Sequence, residues 1–185
     1  MWRREGERFK KDCIVGTVKS GRISVMFWGC FIGNQLGPVA IKEGTWNSIT
    51  YTSILEEYFL PFWNNLNNQQ ENKENVENTL QFYFQEDNSP IHTSRTSVQW
   101  KTDHNIKTIR WPAQSPDLNP IEHIWKILKG KIMSRKVPPH NKEQLITAIK
   151  QEWCNFDAGY LDALIASMPD RIQAVIDANG WHTKY

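Results

Sequence analysis

Leu80-Gln81-Phe82-Tyr83-Phe84-Gln85-Glu86-Asp87 is followed at once by Asn88-Ser89-Pro90. Its aromatic content and partial alternation read as a β-strand, and the Asn-Ser-Pro turn ends it. Working downstream, Thr93 to His104 reads as a helix carrying Val98 and Trp100, and Ile106 to Trp111 as a second short strand closed by Pro112. Ser115-Pro116-Asp117-Leu118-Asn119-Pro120 reads as a turn, with Pro120 suited to the first position of a helix. Ile121, Ile124, Trp125, Leu128 and Ile132 then mark that helix's buried face. Residues 142–154 and 158–178 read as two more helices, with Gly180 as the stop.

Upstream, Ile23 to Phe31 is a continuous apolar run, which predicts a strand buried on both faces. Val39-Ala40-Ile41 reads as a further short strand after the turn residues Gly33, Gly37 and Pro38. From Thr45 the period changes: Ile49, Leu55, Phe59, Leu60 and Trp63 recur at helical steps, and Pro61 predicts a kink or an early stop. The Asn-rich tract from Asn64 to Asn75 reads as a flexible surface loop. Residues 1–22 read as a strand end and an extended basic loop. Strands alternating with helices, closed by a helical appendix, predict an α/β fold.

The 185 residues, with 39% hydrophobic and 12% aromatic side chains, suffice for one domain of ordinary size. No stretch approaches the roughly 20 apolar residues that a bilayer crossing needs, and no apolar run follows the charged N-terminus as it would in a secretory signal. Cys13, Cys30 and Cys154 are too scattered for a disulfide framework or a metal knuckle, as expected in a reducing compartment. The net charge of +2 says little, but its distribution says more. Residues 1–25 carry +4, residues 56–87 carry −6, and residues 89–136 carry +6. The last stretch suits either a polyanion or an ordinary solvated face.

Two acids stand out by position. Asp87 ends a strand, and Glu122 lies in the first turn of a helix, with thirty-four residues between them. A crossover of that size can bring a strand end and a helix start together, where two carboxylates would hold hard cations such as Mg2+. Structural roles are open to both as well: Asp87 can close an Asx-turn, and Glu122 can be the reciprocal partner of Asn119 in a capping box.

Two long blocks carry a further signal: Phe84-Gln85-Glu86-Asp87-Asn88-Ser89-Pro90-Ile91-His92-Thr93, and Trp111-Pro112-Ala113-Gln114-Ser115-Pro116-Asp117-Leu118-Asn119-Pro120-Ile121-Glu122-His123-Ile124-Trp125. They closely resemble the signature blocks of Tc1/mariner-type transposases, and their spacing matches the Tc1 branch. Ser24 to Phe31 and the tail from Ser167 to Tyr185 are also similar to that family. The resemblance implies an RNase H-like mixed sheet flanked by helices over residues 1–133, with 134–185 as a C-terminal helical extension of the same domain. It implies that Asp87 and Glu122 are the second and third acids of an Asp-Asp-Glu triad that binds Mg2+ or Mn2+, two ions in the complete site. Asn88, His92 and Asn119 would orient those acids. The basic residues of segment 89–136, among them Arg95, Lys107, Arg110, Lys126 and Lys129, would track the phosphate backbone of transposon-end and target DNA. A nuclear location, and a homodimer held in part by residues 5–22, are further implications.

The resemblance places the first catalytic Asp on a strand upstream of Met1, and residues 2–8 resemble the strand after it. Asp12 matches no catalytic position. The chain as written is therefore expected to lack the first strand, its Asp and the end-recognising helix-turn-helix, and to neither cut nor join DNA. The rival reading is a non-catalytic nucleic-acid-binding or dimerisation module of the same ancestry.

Overall fold

The computed structural model describes residues 23–71, 81–181 and 183–185. The readings of residues 1–22 and 72–80 lie outside these. Strands β1 (Phe27–Ile32) and β2 (Gln35–Ile41) form an antiparallel hairpin with a register shift between Gly29 and Phe31. Helix α1 (Ser48–Ile54) runs through a π-helical turn (Leu55–Phe59) into α2 (Leu60–Glu71). Then come α3 (Pro90–Thr93), α4 (Arg95–Asp103), a 3-10 turn (Pro116–Leu118), α5 (Pro120–Met133), α6 (Lys142–Cys154), α7 (Ala158–Ala166) and α8 (Met168–Asp177).

The hairpin is a partition between two cores. Because side chains alternate along a strand, Trp28 and Cys30 face one way, while Phe27 and Phe31 face the other. On the first side lie Tyr51, Leu55, Phe59, Trp63, Phe84 and Ile106. On the second lie Ile124, Leu128, Ile149, Trp153, Leu161 and Leu164, with Leu36, Val39 and Ile41 of β2 against them. The apolar run around β1 is thus continuous because it feeds two cores, although only the Gly29 position in it is buried and its side chains are half-buried or exposed. Helices α6 and α7 share their core with α5 and the hairpin.

Several boundaries depart from the sequence reading, each for a local reason. Pro61 neither stops nor sharply breaks the first long helix. Having no N–H, it follows a π-helical turn whose closing bond runs from Leu60 N to the Leu55 carbonyl. The Asn-rich tract is helical as far as Glu71, held down by buried Trp63 and Leu66 and by an Asn65–Gln69 side-chain bond. The two expected strands around Phe84 and Thr108 are extended segments joined by one parallel bridge, with Phe84 N donating to Lys107 O at 2.7 Å. The helix expected from Thr93 is two pieces, because Ser94 leaves helical geometry (ψ 151°) and caps Ser97 N. Val98 of α4 is largely exposed. The final helix divides at Ser167, since Pro169 cannot donate to the carbonyl of Ile165. Gly180, at φ +80°, follows the end of α8 as expected.

One position binds the two halves tightly. A Cβ at Gly29 would lie 2.7 Å from Trp153 Cη2 and 3.0 Å from Trp125 Cη2. Those indoles are stacked 5.2 Å apart, and Trp153 Nε1 donates to the Gly37 carbonyl at 2.9 Å. Rings and backbone can yield little here. Gly29→Ala is therefore expected to destabilise the fold by about 1–3 kcal/mol, read as a lower midpoint in urea with an unchanged slope. Gly130→Ala, where a Cβ meets nothing within 4 Å, is the control and should not lower the midpoint.

Candidate functional site

Asp87 stands just beyond the Phe84–Thr108 bridge, at the carboxyl end of its extended segment, where side chains project from a sheet edge. Its carboxylate is more than half exposed. Oδ1 accepts from Ser89 N at 3.0 Å, so the Asx-turn is formed. The same oxygen lies 2.7 Å from His92 Nδ1, which places the proton on that nitrogen. The His92 ring in turn lies 4.6 Å from the ring of Tyr51. The turn and an oriented carboxylate are therefore the same piece of geometry.

Glu122 is exposed in the first turn of α5. Partial burial, and then the negative charge of Asp87, push its carboxyl above the usual carboxylate range. The two acids thus share one electrostatic neighbourhood although thirty-four residues separate them. The capping box is not formed: Glu122 N donates to the Asn119 carbonyl at 3.1 Å, but the Asn119 side chain makes no cap hydrogen bond. Asn119 is buried beneath the turn. Asn88 does not touch the Asp87 carboxylate. Its Nδ2 donates to the Trp111 carbonyl at 2.8 Å and ties together the two segments that lead to the acids.

Alternation sends Glu86 inward, away from Asp87. Its carboxylate is gripped by the Tyr51 hydroxyl and the Lys101 ammonium, and Lys101 also donates to the His92 carbonyl at 3.1 Å. Burial lowers the Lys101 pKa and raises that of Tyr51. Lys101, Tyr51 and Glu86 form a polar floor under the site. Their only sequence signal is the acid beside Asp87 on the opposite side of the chain.

The basic stretch divides the same way. Lys101 is buried and paired, Lys131 lies over the Phe156 ring at 4.7 Å, and Arg135 is held by Glu152 at 3.0 Å. Each of these three already has a partner within the fold. Arg95, Lys107, Arg110, Lys126 and Lys129 are exposed. Lys126 and Lys129 follow Glu122 at helical steps of four and three, which puts all three on one face of α5.

Two carboxylates are an all-oxygen donor set, which fits a hard divalent cation. Their mutual repulsion is what a bound cation would relieve. Among the described residues no group of three or more His, Cys, Asp or Glu is arranged to hold a metal. Cys30 and Cys154 are free thiols, and burial pushes that of Cys30 far up, out of its reactive range.

Residues 33–146 match the family model of the DDE superfamily endonucleases. The chain is 36% identical to the Tcb1 transposase of Caenorhabditis briggsae over 97% of its length, and 36% identical to the Tc1 transposase of Caenorhabditis elegans over the same share. It spans 61% of the length of each relative. Among solved structures it resembles the catalytic domain of the Mos1 transposase, determined with raltegravir and Mg, at a TM-score of 0.74 and 16% identity. That likeness covers 86% of this chain and 77% of the other, and identifies the fold as RNase H-like. With the two acid-bearing blocks inside the matched region or at its core, the chain belongs to the DDE superfamily of endonucleases, as a catalytic-domain segment of the Tc1/mariner type.

Proposed function

We propose that Asp87 and Glu122 together hold a divalent cation, Mg2+ or Mn2+, and present it to a DNA phosphodiester in transposon-end cleavage and strand transfer, in the nucleus. The carrying observation is that both acids lie in the span that matches the DDE endonuclease family, on segments tied together by the Asn88–Trp111 bond, and the Asp87 charge adds to burial in raising the Glu122 pKa. When bound, such a cation supplies charge stabilisation to the transition state of phosphodiester attack. The chain's own residues do the rest. His92 fixes the orientation of Asp87 through Oδ1, and the Asn88–Trp111 bond holds the two loops in register. Lys101 and Tyr51 keep Glu86 turned away, so that the cation meets Asp87 rather than its neighbour. Lys126 and Lys129, on the Glu122 face of α5, draw the phosphate backbone to the acids, with Arg95, Lys107 and Arg110 extending the track.

A second reading, a DNA-binding module without catalysis, is favoured by the fact that no group of three or more His, Cys, Asp or Glu is arranged to hold a metal among the described residues. DNA binding measured with and without Mg2+ separates the two: metal-dependent binding lost in Glu122→Ala supports the cation site, and metal-independent, salt-sensitive binding supports the module. In nicking of supercoiled DNA with Mn2+ we expect no turnover from this chain by itself, since two carboxylates are a minimal grip on the ions. Turnover abolished by Asp87→Ala would show instead that the pair suffices.

The site should respond to cations whether or not it turns over. Mg2+ or Mn2+ is expected to raise the melting temperature of the 185-residue chain at neutral pH, and Asp87→Asn or Glu122→Gln should remove the effect. The pH dependence has a definite sign. Folding raises the proton affinity of Glu122, so its contribution favours the fold at low pH and is lost as pH rises through its folded pKa. Without metal, Glu122→Gln should thus melt higher than the parent at about pH 7–8 and no differently near pH 4, below the ordinary Glu value. Equal melting curves at both pH values would count against the pairing.

For the DNA track, fluorescence anisotropy with duplex DNA is the measurement. Lys126→Ala and Lys129→Ala are each expected to weaken binding about equally for unrelated sequences. Each should also reduce the steepness of the salt dependence by about one unit. Lys136→Ala, from the same stretch but beyond the end of α5, is the comparison.

A further inference from the structure

We propose that Arg171, in the last helix of the chain, is a positioning residue for Glu122: one buried guanidinium holds the chain on both sides of that acid and thereby sets where its carboxylate points. The inference rests on the proposed role of Glu122 as a cation ligand.

Glu122 lies in the first turn of α5, so its direction depends on how that helix begins. No side-chain cap secures the start. The Asn119 side chain makes no cap bond, and Pro120, which opens α5, has no N–H to give. The restraint comes from far along the chain. Arg171, 2% exposed, donates from Nη1 to the Asp117 carbonyl at 2.9 Å and faces His123 Nδ1 at 3.3 Å. Asp117 belongs to the 3-10 turn before α5, and His123 is the residue after Glu122. Nε of the same guanidinium donates to Ser167 Oγ at 2.8 Å, and the Tyr185 ring lies 4.9 Å from its centre. The tail then holds the turn a second time, with Thr183 Oγ1 donating to Asp117 Oδ2 at 3.0 Å.

A purely structural role explains this arrangement poorly. Among the described residues Arg171 forms no ion pair with a carboxylate, and a buried cation without one is costly relative to an apolar side chain of like size. What a guanidinium supplies, and an apolar chain cannot, is a rigid planar head that is seated by Nε on Ser167 Oγ and so aims Nη1 between two points. Here those points are the turn before Glu122 and the residue after it. Groups that orient a metal ligand typically change metal affinity about 10–100-fold when lost, and Arg171, which holds the residues beside Glu122 rather than its carboxylate, belongs at the lower end of that range.

The test is calorimetric titration of Mn2+ into the 185-residue chain at a temperature well below melting. Arg171→Met is expected to weaken Mn2+ binding at least about 10-fold, with a cooperative melt retained. Arg171→Lys should fall between, since an ammonium can reach the Asp117 carbonyl but lacks the second nitrogen that seats the head on Ser167. Thr183→Val should weaken binding by a smaller factor. Ile149→Ala, which loosens the core shared by α5 and α6 but leaves the Arg171 contacts in place, should lower the melting temperature and weaken Mn2+ binding much less than Arg171→Met. If Arg171→Met does not fold, Arg171→Lys and Thr183→Val carry the test. Parent-like Mn2+ affinity in the Arg171 and Thr183 variants overturns the clamp and leaves the Asp87–Glu122 site standing, as does equal weakening by Ile149→Ala. Parent binding that is absent, or insensitive to Glu122→Gln, overturns the site and the clamp with it.

Discussion

The backbone of β1 at Gly29 lies directly under the stacked rings of Trp125 and Trp153, and the arrangement of the two acids depends on that contact. The hairpin is the common wall of two cores. On one side, Phe84 sits among Tyr51, Phe59 and Trp63 and carries the segment that ends in Asp87. On the other, Ile124 and Leu128 anchor the helix that begins with Glu122. Each acid follows or opens a segment anchored in a different core, and the thin glycine-bearing strand is the wall those cores share. A bulkier wall would move one core relative to the other and carry a carboxylate with it.

Electrostatics around the site follow a consistent sorting. Of three neighbouring acids, Glu86 is neutralised inside by Lys101 and Tyr51, while Asp87 and Glu122 are left to face each other. Of the basic side chains in the same stretch, those needed to balance or cover the fold are paired or packed, and those on the Glu122 face of α5 are free to meet a polyanion. A carboxylate pair beside exposed lysines is a poor stabiliser of a metal-free fold. It is well suited to a site completed by a cation and a phosphate.

Much of this was legible before any coordinates. The apolar period of residues 121–132 marks α5 because a helix must bury one stripe, and α6 spans the very residues that its pattern marked. Asp87 and Glu122 were visible as acids at element ends. Harder to read were places where distant contacts override local composition. Asn64 to Glu71 looks like loop by content, yet two buried side chains keep it helical. The extended segments around Phe84 and Thr108 look like full strands, yet only one bridge pairs them, since the residues beyond it turn to side-chain bonds with Tyr51, Lys101 and Trp111.

Period, punctuation and the two acid-bearing blocks determined the element order, the fold class and the family, because those depend on local stereochemistry and on which side chains must leave water. Only the tertiary structure decided which charges are spent within the fold, that the Asn119 cap is left unmade, and that Arg171 takes over the start of α5 from fifty-four residues beyond Asp117. Pairing and desolvation are properties of neighbours in space, and a linear sequence does not say which residues those will be.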